Sequence, residues 1–359
     1  MDRRNFLQKM GPLGALAAIS VPALAGDTEP VRASGHPPPY LREGDYIGIT
    51  CPAGAIDQRD ARYSEVMLER WGFKTRFGST IGRRWQQFGG TDAERAADFQ
   101  QMLDDPNLKA ILFGRGGYGS MRIMDKLNWD AFKKNPKWLI GYSDITAFHC
   151  HVSRCFGIPT IHSRMAGGFG SQEDQSEISL RNTLFGKPIQ YEWETTTFNR
   201  PGKTQGILVG GNLSLIYAMQ ASISELDTDG KILFIEDVSE YKYTVDRMLI
   251  NLKRSGKLDN LKGLIVGGFT SIKKEDIAYF TMSIEEIIYE KVMEFDYPVC
   301  FNFPGGHQQP NLALKLGMAY ELEAIVSIAK LTEVRNAFPN PPLPFIDSIA
   351  IPHSPSSNL

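Results

Sequence analysis

KAILFGRGGYGSMRIMDKL, Lys109–Leu127, sets a short apolar run, a glycine-rich turn and a helix-like pattern in series. An apolar run of this length that ends at glycine reads as a buried strand. A strand–turn–helix unit is the repeating piece of an α/β fold. Gly114, Gly116 and Gly119 spell G-x-G-x-x-G, the fingerprint of a dinucleotide-binding turn. Such a turn exposes backbone N–H groups to a negative charge, and its surroundings must say which charge. A dinucleotide site calls for an acidic residue ending the next strand, roughly 20 residues on. Here that region reads NWDAFKKNPKW, Asn128–Trp138, which is polar and lacks such a strand end.

Outward from the turn the alternation continues. Tyr46–Cys51 reads as a first strand, 59–71 as a helix, and Thr91-x-x-Glu94 as the capping box of a second helix. After the quoted stretch, KWLIG is a strand, DITAFHCHVSRCFG a helix stopped by Gly157, and IPTIHS another strand. Residues 166–205 are rich in Gly, Ser, Gln and Thr and read as a linker or crossover. Alternation resumes with GILVGG, helix NLSLIYAMQ, strand ILFIED, a helix over 242–254, strand GLIVGGF, a helix over 283–294 and strand PVCFNF, with AIVSIA and its neighbours closing the domain. The expectation is an α/β protein of two domains. The first (44–165) has a mainly parallel sheet flanked by helices, the second (206–335) is mixed α/β, and a proline-rich tail follows over 336–359.

The chain has 359 residues, 42% apolar and 22% charged, with a formal net charge of −2. That balance is ordinary for a globular protein and supplies no basic field for nucleic acid or an anionic membrane. Residues 1–25 differ: Arg3-Arg4-Asn5-Phe6-Leu7 opens them, a Gly- and Pro-interrupted apolar stretch follows, and Ala23-Leu24-Ala25 closes them. This is the pattern of a twin-arginine export signal with a cleavage site, the alternative being an uncleaved anchor. The expected location is the periplasm or beyond, with 26–43 a flexible leader and no membrane span in the mature chain. The four cysteines, Cys51, Cys150, Cys155 and Cys300, suggest no pairing and read mostly as buried thiols. The dense run His149–Cys155 would be splayed around a helix, and no paired-ligand metal motif occurs.

Three places carry nucleophile chemistry. Ser143 in LIGYSDITAFH stands at a strand-to-helix junction, the setting of a nucleophile elbow, although Ile145 replaces the second glycine of G-x-S-x-G. On the local pattern Ser143 is either a nucleophile or a helix cap. Of the six histidines, His307 lies in the polar loop NFPGGHQQPN just after a strand, where open α/β sheets build their sites. Glu236 and Asp237 end an apolar strand, with Glu240 nearby, and any of them suits the carboxylate that orients a histidine base.

GRGGYGSMRIMDKL, LIGYSDITAFH, GNLS, FIEDVSE and GGH, in this order and at these separations, resemble the LD-carboxypeptidase family of serine peptidases (S66), which includes muramoyltetrapeptide carboxypeptidases and microcin C immunity peptidases. The resemblance covers roughly 45–335. It implies a Ser143–Glu236–His307 triad, with the serine on the first domain and the other two on the second, and no metal or organic cofactor. The implied reaction cleaves the amide between an L-centre and a terminal D-amino acid of a murein tetrapeptide, in cell-wall turnover. An immunity-type peptidase acting on a peptide conjugate is the alternative. The backbones of Gly117 and Asp144 are the expected oxyanion donors, and Arg115 the expected partner of the substrate carboxylate. Homodimers are common in the family. Outside it, a periplasmic binding protein fits two exported α/β lobes without needing the triad. The Ser271-x-x-Lys274 spacing of a Ser–Lys enzyme lacks its Lys-Thr-Gly companion, since 203–205 reads Lys-Thr-Gln.

Overall fold

The structure, a computed structural model, describes residues 37–273 and 280–334. The export signal, most of the leader and the tail lie outside the described residues. In chain order the elements are β1 (Tyr46–Thr50), α1 (Gln58–Arg70), β2 (Lys74–Phe77), α2 (Asp92–Asp104), β3 (Leu108–Phe113), α3 (Met121–Met124), α4 (Asp130–Lys134), β4 (Trp138–Gly141), α5 (Thr146–Phe156) and β5 (Thr160–His162). There follow α6 (Gln175–Leu184), β6 (Gln190–Glu194), β7 (Gly202–Asn212), α7 (Leu213–Ala218), β8 (Ile232–Val238), α8 (Lys242–Arg254), β9 (Gly263–Thr270), α9 (Ile284–Val292), β10 (Val299–Cys300), β11 (Leu314–Leu316), β12 (Ala319–Ala324) and β13 (Ile328–Glu333).

Two sheets form. The first has six strands in the order β11-β5-β4-β3-β1-β2, parallel except for β11. The second has seven, β10-β9-β8-β7-β12-β13-β6, parallel from β10 to β7 and antiparallel beyond. The central strands are buried on both faces, which is why AILF of β3 and ILFI of β8 read as unbroken apolar runs. The two sheets share a core. Phe113, Ile145 and Phe148 of the first half join one buried cluster with Val209, Leu213 and Leu233 of the second. At the seam the Asn212 N–H donates to the Thr146 hydroxyl (3.0 Å), and a Cβ on Gly211 would stand 2.6 Å from that oxygen.

Several expectations need correction. The segment 166–205 does carry the chain from one sheet to the other, but it is built of α6, β6 and the start of β7. Nor are the two halves consecutive, because β11 returns to the edge of the first sheet beside β5. The leader is packed from Pro38 onward: Tyr40 stacks on Trp138 at 5.7 Å, and the Trp138 indole donates to the Pro39 carbonyl (3.1 Å). The helix expected over Ser120–Leu127 is a single turn, α3. AIVSIA is the turn of the β12–β13 hairpin, with Ile325 and Val326 exposed. No described helix is long and apolar enough to cross a membrane.

Candidate active site

The site begins with backbone strain. β4 is fully buried and ends at Gly141; two residues later Ser143 has φ +63°. A non-glycine residue in this left-handed region is uncommon and costs of order 1 kcal/mol or more, so the surroundings must impose it. The consequence is a sharp elbow from β4 into a short 3₁₀ turn and then α5. Asp144 is the second residue of that turn, where backbone N–H groups have no acceptor within the helix. The Asp144 side chain is buried, and it accepts from the Ser120 N–H (2.8 Å), tying the elbow to the far end of the glycine turn. Burial raises its pKa, against the opposing bond from Ser120.

The glycine turn lies against the elbow. A Cβ on Gly116 would stand 3.0 Å from Ser143 Oγ and 3.2 Å from the Asp144 nitrogen. Gly117 has φ +88°, and a Cβ there would meet nothing within 4 Å, so its peptide borders open space. Arg115 is exposed and its stem packs over Gly54. The turn is held from behind by Arg95, which is completely buried and donates to the carbonyls of Pro52, Gly90 and Gly119.

From the second half, Glu236 at the end of β8 is fully buried, and its Oε2 accepts from His307 Nδ1 at 2.7 Å. This fixes the tautomer: Nδ1 carries a proton toward the carboxylate and Nε2 is left for proton transfer. Gly306 has φ +93°, and a Cβ there would fall 2.6 Å from Glu236 Oε2, so only glycine lets the loop approach. The His307 ring lies 4.8 Å from that of Tyr142, the residue preceding Ser143, which brings the imidazole beside the elbow.

The structure separates the other candidates. Asp237, next to Glu236 but on the opposite face of β8, accepts from Asn212, Ser214 and Val238 and so supports the GNLS segment. His149 is buried and bonds the Gly141 carbonyl (2.9 Å), and His151 bonds Ser224 (2.7 Å). His162 is buried without a hydrogen-bond partner for either ring nitrogen among the described residues. All four cysteines are free, with only Cys155 exposed. Among the described residues no group of three or more His, Cys, Asp and Glu could hold a metal ion. Lys274, the would-be partner of Ser271, lies outside the described residues.

One part of the site has no counterpart among the sequence expectations. The His307 loop is braced by α6: the Asn311 N–H donates to Ser176 Oγ (3.0 Å) and the Ala313 N–H to Ser179 Oγ (3.0 Å). Arg164 donates to Gln309 Oε1 at 2.6 Å. The available signal was Asp174-x-x-Glu177, a capping box of the kind read at Thr91.

An α/β scaffold with a strained serine elbow, N–H groups beside its hydroxyl, and a carboxylate–imidazole pair brought in by a second sheet defines a serine hydrolase. The chain belongs to the LD-carboxypeptidase family of serine peptidases: the family's N-terminal domain matches residues 47–163 and its C-terminal domain 205–322. Among its relatives, a Bacillus subtilis protein named "Probable murein peptide carboxypeptidase" is 32% identical over 86% of this chain and 96% of its own length. The murein tetrapeptide carboxypeptidase of Pseudomonas aeruginosa is 28% identical over 77% of this chain and 92% of its own. The crystal structure of muramoyltetrapeptide carboxypeptidase from Oxalobacter formigenes is similar at a TM-score of 0.73 and 25% identity, over 80% of this chain and 98% of that one.

Proposed function

We propose that the protein is a serine LD-carboxypeptidase that removes the terminal D-alanine from murein tetrapeptide. The observation that carries the mechanism is the Glu236–His307 pair at 2.7 Å, set beside the strained Ser143 elbow. Ser143 Oγ attacks the carbonyl carbon of the L-centre while His307 Nε2 takes its proton. The oxyanion is met by the Asp144 and Gly117 N–H groups, each donor of this kind being worth about 3–4 kcal/mol in the transition state. His307 then returns the proton to the departing amine, D-alanine leaves, and water drives the same sequence in reverse roles to free the tripeptide. Glu236 orients the imidazole and stabilises its charged form throughout.

Arg115 is exposed at the mouth of the glycine turn, where a forked cation suits a terminal carboxylate. Arg115→Ala is therefore expected to raise KM for a free-acid peptide more than for its amide, and equal effects would reject the assignment. The deciding experiment incubates the protein with disaccharide tetrapeptide and follows D-alanine by mass spectrometry. Wild type releases it and Ser143→Ala does not; release by Ser143→Ala sinks the triad. A parallel incubation with an aminoacyl sulfamoyl nucleoside tests the immunity-type reading, since a microcin C7 immunity protein bound to aspartyl sulfamoyl adenosine shares the fold at a TM-score of 0.73. The Arg3-Arg4 opening supports export before action, and Arg3→Lys with Arg4→Lys should hold a tagged protein in the cytoplasmic fraction.

A further inference from the structure

Arg164 stands two residues beyond the end of β5, buried to 7% exposure. Its guanidinium makes four bonds: Nη1 to Glu177 Oε1 (2.9 Å), and Nη2 to Asp174 Oδ2 (2.7 Å), Ser176 Oγ (3.2 Å) and Gln309 Oε1 (2.6 Å). Three of these partners open α6; the fourth is two residues from His307. On its other side Arg164 is coupled to the elbow. Gly141 pairs with His162 in the sheet, the Ser163 N–H donates to the Gly141 carbonyl (3.1 Å), and Gly141 is two residues from Ser143.

A contiguous route therefore joins the serine to the histidine: Ser143, Gly141, Ser163, Arg164, Gln309, His307. Every link is covalent neighbourhood or a hydrogen bond. The second sheet holds the loop independently, through Thr270 Oγ1 donating to the His307 carbonyl (2.9 Å) and the Gly268 N–H to the Gly305 carbonyl (2.9 Å). Those bonds fix His307 relative to Glu236. Ser143 belongs to the other sheet, which is tied to this one by the Asn212–Thr146 bond and by the pairing of β11 with β5, and the Arg164–Gln309 bond adds a tie two residues from His307.

We propose that Arg164 is a positioning residue that sets the distance between Ser143 and His307, clamping the base loop of the second half to the serine-bearing sheet of the first through Gln309. The forked guanidinium suits this role: one nitrogen holds α6 through Glu177 while the other reaches the loop, a division a point cation such as lysine does not reproduce. Gly168 packs against the arginine stem, where a Cβ would stand 3.2 Å from Arg164 Cγ. The inference rests on Ser143 and His307 being the nucleophile and base of the proposed reaction.

The test reads serine activation without the natural substrate, as the rate of labelling by a small fluorophosphonate across pH. Gln309→Met cuts the bonds from Arg164 and Ser176 to the Gln309 side chain, leaving Arg164 with Asp174 and Glu177 and α6 with its bonds from Asn311 and Ala313. It should slow labelling by about ten- to a hundredfold, the scale of a misplacement near 1 Å. The midpoint of the acid limb should stay unchanged, because the Glu236–His307 pair is intact. Arg164→Lys should fall in the same range, and Arg164→Ala should regain rate when guanidinium ion is added at non-denaturing concentration. Arg181→Ala, on the same helix, breaks only a partly exposed pair with Glu173 ahead of the helix and should label as wild type does. Should Arg164→Ala fail to fold, Gln309→Met decides alone. Wild-type labelling rates in Gln309→Met overturn the proposal, as does a loss matched by Arg181→Ala. A wild-type protein that does not label at all overturns the triad reading and the proposal together, whereas labelling without D-alanine release overturns only the substrate.

Discussion

A methyl group on Gly116 would stand 2.8 Å from Ser143 Cβ and 3.0 Å from its Oγ. The glycine turn thus faces Ser143 at a separation that admits no side chain. Gly116→Ala is expected to lower kcat by at least about 10²-fold, since displacement of the reacting oxygen by near 1 Å has that cost. Gly117→Ala is the contrast: with φ +88° and open space around it, the strain is about 1–2 kcal/mol and appears in the melting temperature. D-alanine release and thermal melts on the two variants check this, and a fully active Gly116→Ala would refute it.

Glu236→Gln keeps the shape of the side chain and removes its charge. The imidazolium formed during proton transfer then loses its buried counter-charge, and the amide can select the wrong tautomer. A fall in kcat of about 10²–10⁴-fold with little change in KM is expected. Gly306→Ala should mimic part of this, because its Cβ would meet Glu236 Oε2 at 2.6 Å. Steady-state kinetics on both variants distinguish this from a substrate-binding role, which would raise KM instead.

His149 and His162 predict acid lability. Burial lowers His149 from 6.5 to about 4, against its bond to the Gly141 carbonyl. Burial, with smaller contributions from the charges of His149 and His307, holds His162 well below 6.5. Below pH about 6.5 the unfolded chain takes up protons that the folded chain refuses. Stability from these groups is therefore complete above that pH and declines as pH falls toward 4, by up to about 1.4 kcal/mol per pH unit for each histidine. Urea unfolding at pH 7, 6 and 5 measures the slope, and His149→Gln should flatten it. An unchanged slope in that variant would assign the lability elsewhere.

The buried parallel strands were legible because their apolar runs stop at glycine or a charged residue, and Ser143, Glu236 and His307 all stand where such runs end. The choice between Glu236 and Asp237 needed the register of β8, which decides the face each takes. Helix α6 escaped a hydrophobic-periodicity reading for a physical reason. Its buried face includes Ser176, Glu177, Ser179 and Thr183, and several of these hold the His307 loop by hydrogen bonds. β11 was hidden in the same way by Lys315, which is buried in a three-residue strand.

Arg95 offers the last test, of how far the glycine turn depends on what lies behind it. It is buried to 0% exposure, its guanidinium lies 4.7 Å from the centre of the Phe88 ring, and it donates to the Gly119 carbonyl at 3.0 Å. Arg95→Met retains most of the packing volume and takes the side-chain donor from the Pro52 and Gly90 carbonyls, while the Gly119 carbonyl keeps the Arg122 N–H (3.2 Å). Each buried group left unpaired costs about 1–3 kcal/mol, so the protein should lose at least about 2 kcal/mol in urea unfolding. Without Arg95 the turn keeps the Gly54 N–H bond to the Gly116 carbonyl (2.8 Å) and the Ser120–Asp144 bond but loses the tie behind Gly119, so kcat should fall with stability while KM changes less. Asp92 pairs with both Arg95 and the exposed Arg122, and Arg122→Ala should leave both measurements near wild type. If Arg95→Met loses stability yet keeps wild-type kcat, the bonds of Gly54 to Gly116 and of Ser120 to Asp144 suffice to hold the turn, and Arg95 has no part in presenting Gly116 and Gly117 to the substrate.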